Sequence, residues 1–321
     1  MIFANPFARI VVGYDGDAPA DAALEHALAL AGQYGGEIVV VNVSDLSAAT
    51  VLRLRTAAQA PREDDAPVLA SLDVLRAELF RKLSARVASS PVPASIEFCT
   101  NGVVAGILDA ATRWNATAVV VGTHARRGIE HALIGSVAEG VVRAALVPVI
   151  VVREGMPAKP LHRVVVGVDT SAASTNASVY AVALALDHPV RLVYSSVVDA
   201  RSLVSPSADL PFDPTPLLDA MRAAARDAID AAVQYANAAD VYPDVEVADA
   251  LDAASGLIEV AQRRGADAVV VGTHSRGSFE RFFLGSTAES VLRHADVPVI
   301  VVPKHAPIVP GALPLAMAES S

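Results

Sequence analysis

Residues 118–153 read AVVVGTHARRGIEHALIGSVAEGVVRAALVPVIVVR, and residues 268–303 read AVVVGTHSRGSFERFFLGSTAESVLRHADVPVIVVP. At an offset of 150 the two stretches agree at 22 of 36 positions. A self-match of that length marks a duplicated unit. The correspondence continues outward, because Arg9–Asp15 (RIVVGYD) answers Arg163–Asp169 (RVVVGVD) at an offset of 154. Within each copy, short Val/Ile-rich runs alternate with Ala/Leu-rich stretches, the pattern of right-handed βαβ crossovers building a parallel sheet. The first copy predicts strands at 8–14, 37–43, 94–99, 117–122 and 147–152, and helices at 19–34, 66–88, 102–114 and 136–145. The second predicts strands at 162–168, 190–197, 244–249, 267–272 and 297–302, and helices at 174–186, 215–238, 254–264 and 286–295.

The strand runs are apolar on both faces, as expected of strands covered by helices above and below. The expectation is therefore an α/β chain of two tandem doubly wound domains, 1–155 and 162–304, each a five-stranded parallel sheet with helices on both faces. Met156-Pro157-Ala158-Lys159-Pro160 opens a linker over 156–161, and the Pro-rich end 305–321 reads as a disordered tail. Two Pro-containing stretches, 46–67 and 200–216, fall at equivalent places after the second strand and read as mobile loops.

Composition narrows the function classes. Of 321 residues, 25 are basic and 35 acidic, a net charge of −10. The imbalance sits mostly in the second half, where 161–321 holds 11 basic and 19 acidic residues against 14 and 16 in 1–160. A chain that held nucleic-acid phosphates would need a basic face, so no nucleic-acid partner is expected. Mean hydropathy is high, at +0.43, but the apolar residues are spread in short runs, none approaching the roughly 18 needed to cross a bilayer. No membrane partner is expected. The first residues lack the basic region and apolar core of a secretory signal. Cys99 is the single cysteine, which excludes an intrachain disulfide and multi-cysteine zinc sites. A cytoplasmic location is the expectation.

In open α/β sheets ligands bind beyond the carboxyl ends of the strands, where the strand order reverses. The fourth strand of the first copy runs into Gly122-Thr123-His124-Ala125, and after nine further residues comes Gly135-Ser136 at the start of a helix. The second copy has Gly272-Thr273-His274-Ser275 and Gly285-Ser286. Glycines allow close backbone approach, and a helix N-terminus offers unpaired N–H groups, so phosphate is the natural occupant.

On these residues each copy resembles the universal stress protein family, whose ATP-binding members carry Gly, two residues, Gly, nine residues, then Gly-Ser or Gly-Thr at this loop and an Asp ending the first strand. The resemblance covers essentially the whole chain outside linker and tail. It implies a Rossmann-like fold in both halves and a stress-response regulator that binds ATP, with magnesium carried on the phosphates. It further implies that Asp15 and Asp169 hold the adenosine, that Val43 and Val197, ending the second strands, offer backbone groups to the adenine, and that Gly122, Gly135 and Ser136, with Gly272, Gly285 and Ser286, line the phosphate paths. The middle glycine of the family pattern is Ala125 in one half and Ser275 in the other. Each adds a Cβ, with a cost of roughly 1 kcal/mol where positive φ is required. Asp17 places a further negative charge beside the first site, where the second has Ser171. The second site is thus the better candidate, and a nucleotide-free interaction module is the alternative.

Other readings stand beside these. Ser136-Val137-Ala138-Glu139 and Ser286-Thr287-Ala288-Glu289 fit the S-x-x-E capping box, and Asp15 and Asp169 fit the capping of a turn or helix. His124 and His274 suggest loop hydrogen-bonding rather than catalysis, since no G-x-S-x-G elbow is present. Arg126, Arg127, Arg276 and Arg281 are candidate phosphate partners. No Walker pattern and no Ser-Gly-Gly-x-Asp-Ser loop occurs, so an enzyme with rapid ATP turnover is not expected, and no metal-ligand spacing is present. Val147-Pro148 and Val297-Pro298 open the fifth strands. Apolar edges of that kind need cover, and the resemblance implies an internal pseudo-dimer through them, with an unknown protein partner or a second copy beyond.

Overall fold

The computed structural model describes residues 5–43, 66–99, 102–124, 134–199, 213–273 and 284–304, leaving aside the side chains of 66–73, 75 and 76. The expected loops fall largely on 44–65 and 200–212, and the expected tail on 305–321, outside the described residues. Ala125, Ser275, His274 and Arg126, Arg127, Arg276 and Arg281 also lie outside them.

The Val/Ile runs form strands in the expected order. In the first half these are β1 (Arg9–Gly13), β2 (Glu37–Val43), β3 (Ala94–Cys99), β4 (Ala118–Thr123) and β5 (Val149–Arg153), with helices α1 (Ala18–Tyr34), α2 (Ala66–Ala88), α3 (Val103–Arg113) and α4 (Ser136–Ala144). In the second half they are β6 (Arg163–Gly167), β7 (Arg191–Asp199), β8 (Asp244–Ala250), β9 (Ala268–Gly272) and β10 (Val299–Val302), with α5 (Ala172–Ala185), α6 (Thr215–Asn237), α7 (Ala253–Arg264) and α8 (Ser286–His294). All pairings inside a half are parallel, with Val11 beside both Val39 and Val119, and Val165 beside both Val193 and Val269.

The two sheets are one. The strand order is β3-β2-β1-β4-β5-β10-β9-β6-β7-β8, and the central pair β5 and β10 is antiparallel, with Ile150 opposite Ile300. The separate five-stranded sheets of the sequence reading thus join along the edges that needed cover. The fifth strands start later than expected, at Val149 and Val299. Proline has no N–H for the ladder, so Pro148 and Pro298 stay one residue outside and contribute only their carbonyls, which accept the amides of Val119 (2.9 Å) and Val269 (3.0 Å).

Period-two alternation divides the core. Ile10, Val12, Ile150 and Ile300 share one face of the sheet with Leu24 of α1 and Ala181 of α5. Val11, Val119, Val151 and Val299 share the other with Val141 of α4 and Val291 of α8. Burying each such Val, Leu or Ile stabilises the fold by about 1.5–3 kcal/mol. Both layers run without a break across the β5–β10 seam. The seam is reinforced where Tyr34 of α1 donates its hydroxyl to Leu184 O of α5 at 2.8 Å. The stretch read as linker ends in the core: Leu161 is buried, and its amide and carbonyl both bond the Gln33 side chain, at 2.7 and 2.8 Å.

Candidate functional site

In each half the strand order reverses between the first and fourth strands, β1 and β4 or β6 and β9. A cleft opens at the carboxyl ends of both pairs, about 370 Å³ in the first half and about 480 Å³ in the second. Asp15, Val43, Gly122, Gly135 and Ser136 line the first cleft, and Asp169, Val197, Gly272, Gly285 and Ser286 line the second. Residues more than 100 positions apart in sequence are brought together as the repeat and the switch-point rule require.

The aspartates cap a turn, not the helix. Asp15 Oδ1 accepts the amide of Asp17 at 3.2 Å, and Asp169 Oδ1 accepts that of Ser171 at 2.8 Å. The helix caps are the next residues along: Asp17 accepts from Ala20 N at 3.0 Å, and Ser171 from Ser174 N at 3.2 Å. Burial pushes the Asp15 carboxyl above the ordinary carboxylate range, and hydrogen bonding with the Asp17 side chain pushes it further in the same direction. The first cleft's mouth also holds His124, whose Nε2 lies 3.4 Å from Asp17 Oδ2 and whose Nδ1 lies 3.9 Å from Glu154 Oε2. Ser171 and Lys304 occupy the positions of Asp17 and Glu154 in the second half, so the second mouth is less acidic.

The two glycines of each loop have different reasons to be glycine. A Cβ on Gly122 would stand 2.1 Å from Pro19 O, and one on Gly272 2.3 Å from Ala173 O. Those glycines let the fourth strand meet the first turn of α1 or α5, and that packing, not ligand approach, is what demands them. Gly135 is under no such pressure. Its φ of −58° is open to any residue, and a Cβ there would meet nothing nearer than Thr123 Oγ1 at 3.6 Å.

The capping boxes do not form. Gly135 and Gly285 hold the N-cap positions with no side-chain cap, and Ser136 and Ser286 are the first helical residues. Glu139 and Glu289 turn outward to Arg143 and Arg293 one turn on, because the i,i+4 ion pair competes for the same carboxylate. The first intrahelical bonds are Glu139 N to Gly135 O and Glu289 N to Gly285 O. The preceding amides, of Ser136, Val137 and Ala138 and of Ser286, Thr287 and Ala288, therefore have no partner within their helix, and all six residues line the clefts.

Val43 ends β2 as expected, its side chain packed against α3, where a Cβ on Gly106 would come within 2.9 Å of it. Val197 does not end β7. The strand runs on to Asp199, paired with Ala250, because the apolar run Val197–Val198 keeps a partner strand, β8, that extends equally far. Two cleft residues escaped the sequence reading. Thr123 Oγ1 accepts the Gly135 amide at 3.1 Å, and Ser195, at the place of Val41 in the repeat, lines the second cleft with a buried hydroxyl that has no hydrogen-bond partner. A Val-to-Ser exchange inside an apolar strand was visible in the repeat. Among the described residues no group of three His, Cys, Asp or Glu side chains is arranged to hold a metal ion, and no helix is long and apolar enough to cross a membrane.

This geometry can hold an anion on helix-start amides and a polar group on the aspartate turn, above an apolar wall of Val41, Val43 and Ile107 in the first cleft and above Ser195, Val197 and Leu257 in the second. Known proteins agree on the fold. The model of the universal stress protein family matches residues 6–153 and again 160–303. The universal stress protein Rv2005c of Mycobacterium tuberculosis is 30% identical over 305 residues, covering 91% of this chain and 96% of its own length. A second one from that organism, Rv1996, is 36% identical over 193 residues, 57% of each chain. The crystal structure of a universal stress protein from Archaeoglobus fulgidus superposes with a TM-score of 0.67 at 19% identity, over 94% of this chain and 100% of that one.

Proposed function

The chain belongs to the universal stress protein family, and from that premise we propose that it is a stress-response regulator whose clefts bind an adenine nucleotide without rapid turnover. The observation that carries this reading is the row of three helix-start amides facing each cleft without a capping side chain. Amides so placed suit a phosphate. We assign Asp169 and Asp15 to the adenosine, the backbone at Val197 and Val43 to the adenine edge, and Gly285, Ser286, Gly135 and Ser136 to the phosphates, with Gly272, Gly122, Ser275 and Ala125 at the remaining positions of the family's phosphate motif. Magnesium would arrive with ATP, neutralising phosphate charge. The role is binding, in the cytoplasm, with occupancy passed to a protein partner.

The second cleft is the stronger site. Asp17 and Glu154 set carboxylates at the mouth of the first cleft where the second has Ser171 and Lys304, and an anionic ligand is repelled there. This asymmetry favours a second reading for the first half alone, as a nucleotide-free interaction module. Calorimetric titration of the full chain with Mg-ATP tests both. The expected result is one tighter site, lost in Asp169→Ala and kept in Asp15→Ala, with a rise in Tm from mass action. No heat and no Tm shift at millimolar Mg-ATP would extend the nucleotide-free reading to the whole chain.

A further inference from the structure

The two halves differ on the far side of the aspartate turn, between the helices that follow the first and second strands. In the first half Leu24 of α1 is fully buried, Leu83 of α2 is 1% exposed, and Leu79 packs against them. The offset of 154 that aligns β1 with β6 also sets Pro19 and Ala173 against equivalent glycines, so Ser178 holds the position of Leu24. Counted from the second-residue prolines of α2 and α6, Ala228 and Ala232 hold the positions of Leu79 and Leu83, and Tyr235 that of Arg86. The ion pairs that Arg86 makes with Asp21 and Glu25 have no counterpart, for Thr175 and Val179 replace the two acids.

Three leucine side chains are thereby removed; Tyr194, at the place of Val40, takes back part of that volume with its hydroxyl on Ser178 O at 3.1 Å, and a cavity of about 260 Å³ remains, lined by Ser178, Ala228, Ala232, Tyr235, Asp227 and Asp169. Ser178 is 0% exposed and its hydroxyl has no hydrogen-bond partner. A buried hydroxyl left unpaired is costly and calls for an explanation, and a cavity with a polar floor is built to be filled. The lining carries two carboxylates at its exposed rim, no cationic side chain, and alanine methyls between rim and floor. It selects against anions and for a cation on a short apolar stem.

We propose that this cavity is a second ligand site, for a short aliphatic amine with a neutral polar far end, an amino alcohol. The ammonium sits at the Asp227 and Asp169 carboxylates, the stem runs along Ala228 and Ala232, and the far end bonds the Ser178 hydroxyl. Asp169 also lines the second cleft, so the two sites share a wall. The proposal does not rest on nucleotide binding, and either can fail without the other.

The test is calorimetric titration of the full chain with 4-amino-1-butanol, at about 150 mM salt to screen the general attraction of an acidic chain for cations. Wild type is expected to show one saturable site. Ser178→Leu and Ala232→Leu, which refill the cavity with the side chains of the first half, are expected to abolish it while Tm holds or rises. Asp227→Asn is expected to weaken it about tenfold by removing one charge-assisted contact. Should Ser178→Leu fail to fold, Ala232→Leu carries the comparison alone. Equal binding by wild type and the leucine variants, heat that never saturates, or no binding by about 10 mM, under about 3 kcal/mol of binding free energy, would overturn the proposal and leave the cavity to water.

Discussion

Thr123 Oγ1 accepts the amide of Gly135 at 3.1 Å, fastening the end of β4 to the residue before α4. The bond holds the loop's far end in place, so that the amides of Ser136 and Val137 keep their aim into the cleft. It also separates two glycines of one motif by function. Gly122→Ala drives a Cβ into Pro19 O and is expected to cost about 1–3 kcal/mol, the range for overpacking. Gly135→Ala meets nothing closer than 3.6 Å and should leave the urea midpoint nearly unchanged, while its methyl weakens any phosphate contact in that cleft. Equal destabilisation by the two substitutions would refute the division.

Asp15 supplies a pH dependence of known sign. Its carboxyl titrates above the ordinary range because burial and Asp17 disfavour the charged form. A carboxyl raised in the folded state favours folding below its unfolded pKa, and that contribution is lost as pH rises through the folded value. Asp15→Asn keeps an acceptor for the Asp17 amide and removes the charge. The variant is expected to melt above wild type at pH 7, with the difference vanishing near pH 4, around the ordinary carboxylate value. Melting curves across that range decide it.

Asp267 behaves in the opposite sense. Burial pushes its carboxyl up, but Lys159 at 2.6 Å and the amides of His162 and Arg163, at 2.8 and 2.9 Å, outweigh burial and hold it below the ordinary carboxylate range. Its stabilising contribution is present above the unfolded pKa and is lost as pH falls through the depressed folded value. Asp267→Ala leaves two backbone amides without their partner at the entry to β6, and is expected to cost about 1–3 kcal/mol at pH 7. The penalty should shrink below pH 3. Urea titrations of both proteins at the two pH values measure it.

The pairing of Ile150 with Ile300 predicts joint unfolding. Both core layers cross that seam, so fluorescence and circular dichroism should report one shared guanidinium transition for the full chain. Ile150→Asp buries an unpaired charge at the seam. It is expected to cost more than about 4 kcal/mol, to separate the two probes, and to increase light scattering as apolar edges are exposed. Coincident transitions in the variant would show that the halves are not coupled there.

Much of this was legible before any coordinates. Strand and helix positions differ from their expected bounds by a residue or two, because apolar period and the repeat both report local burial. Ten of the twelve residues expected at the site line the two clefts, since a parallel α/β unit has only one place where its loops diverge. Ala125 and Ser275, the remaining two, lie outside the described residues. The capping boxes were misread because S-x-x-E states which residues stand one turn apart but not which partner the glutamate takes. Arg143 and Arg293 offer a stronger one.

From its order of residues alone, this chain is settled as a duplicated α/β fold with an aspartate turn and a glycine-led helix start in each copy, since such features depend on neighbours a few positions away. Tertiary structure decided that the two sheets fuse through β5 and β10, that Gly122 is demanded by the backbone of Pro19, and that Ser178, Ala228 and Ala232 together leave a cavity. Those outcomes depend on distances between residues tens to hundreds of positions apart, where close packing admits or excludes single atoms.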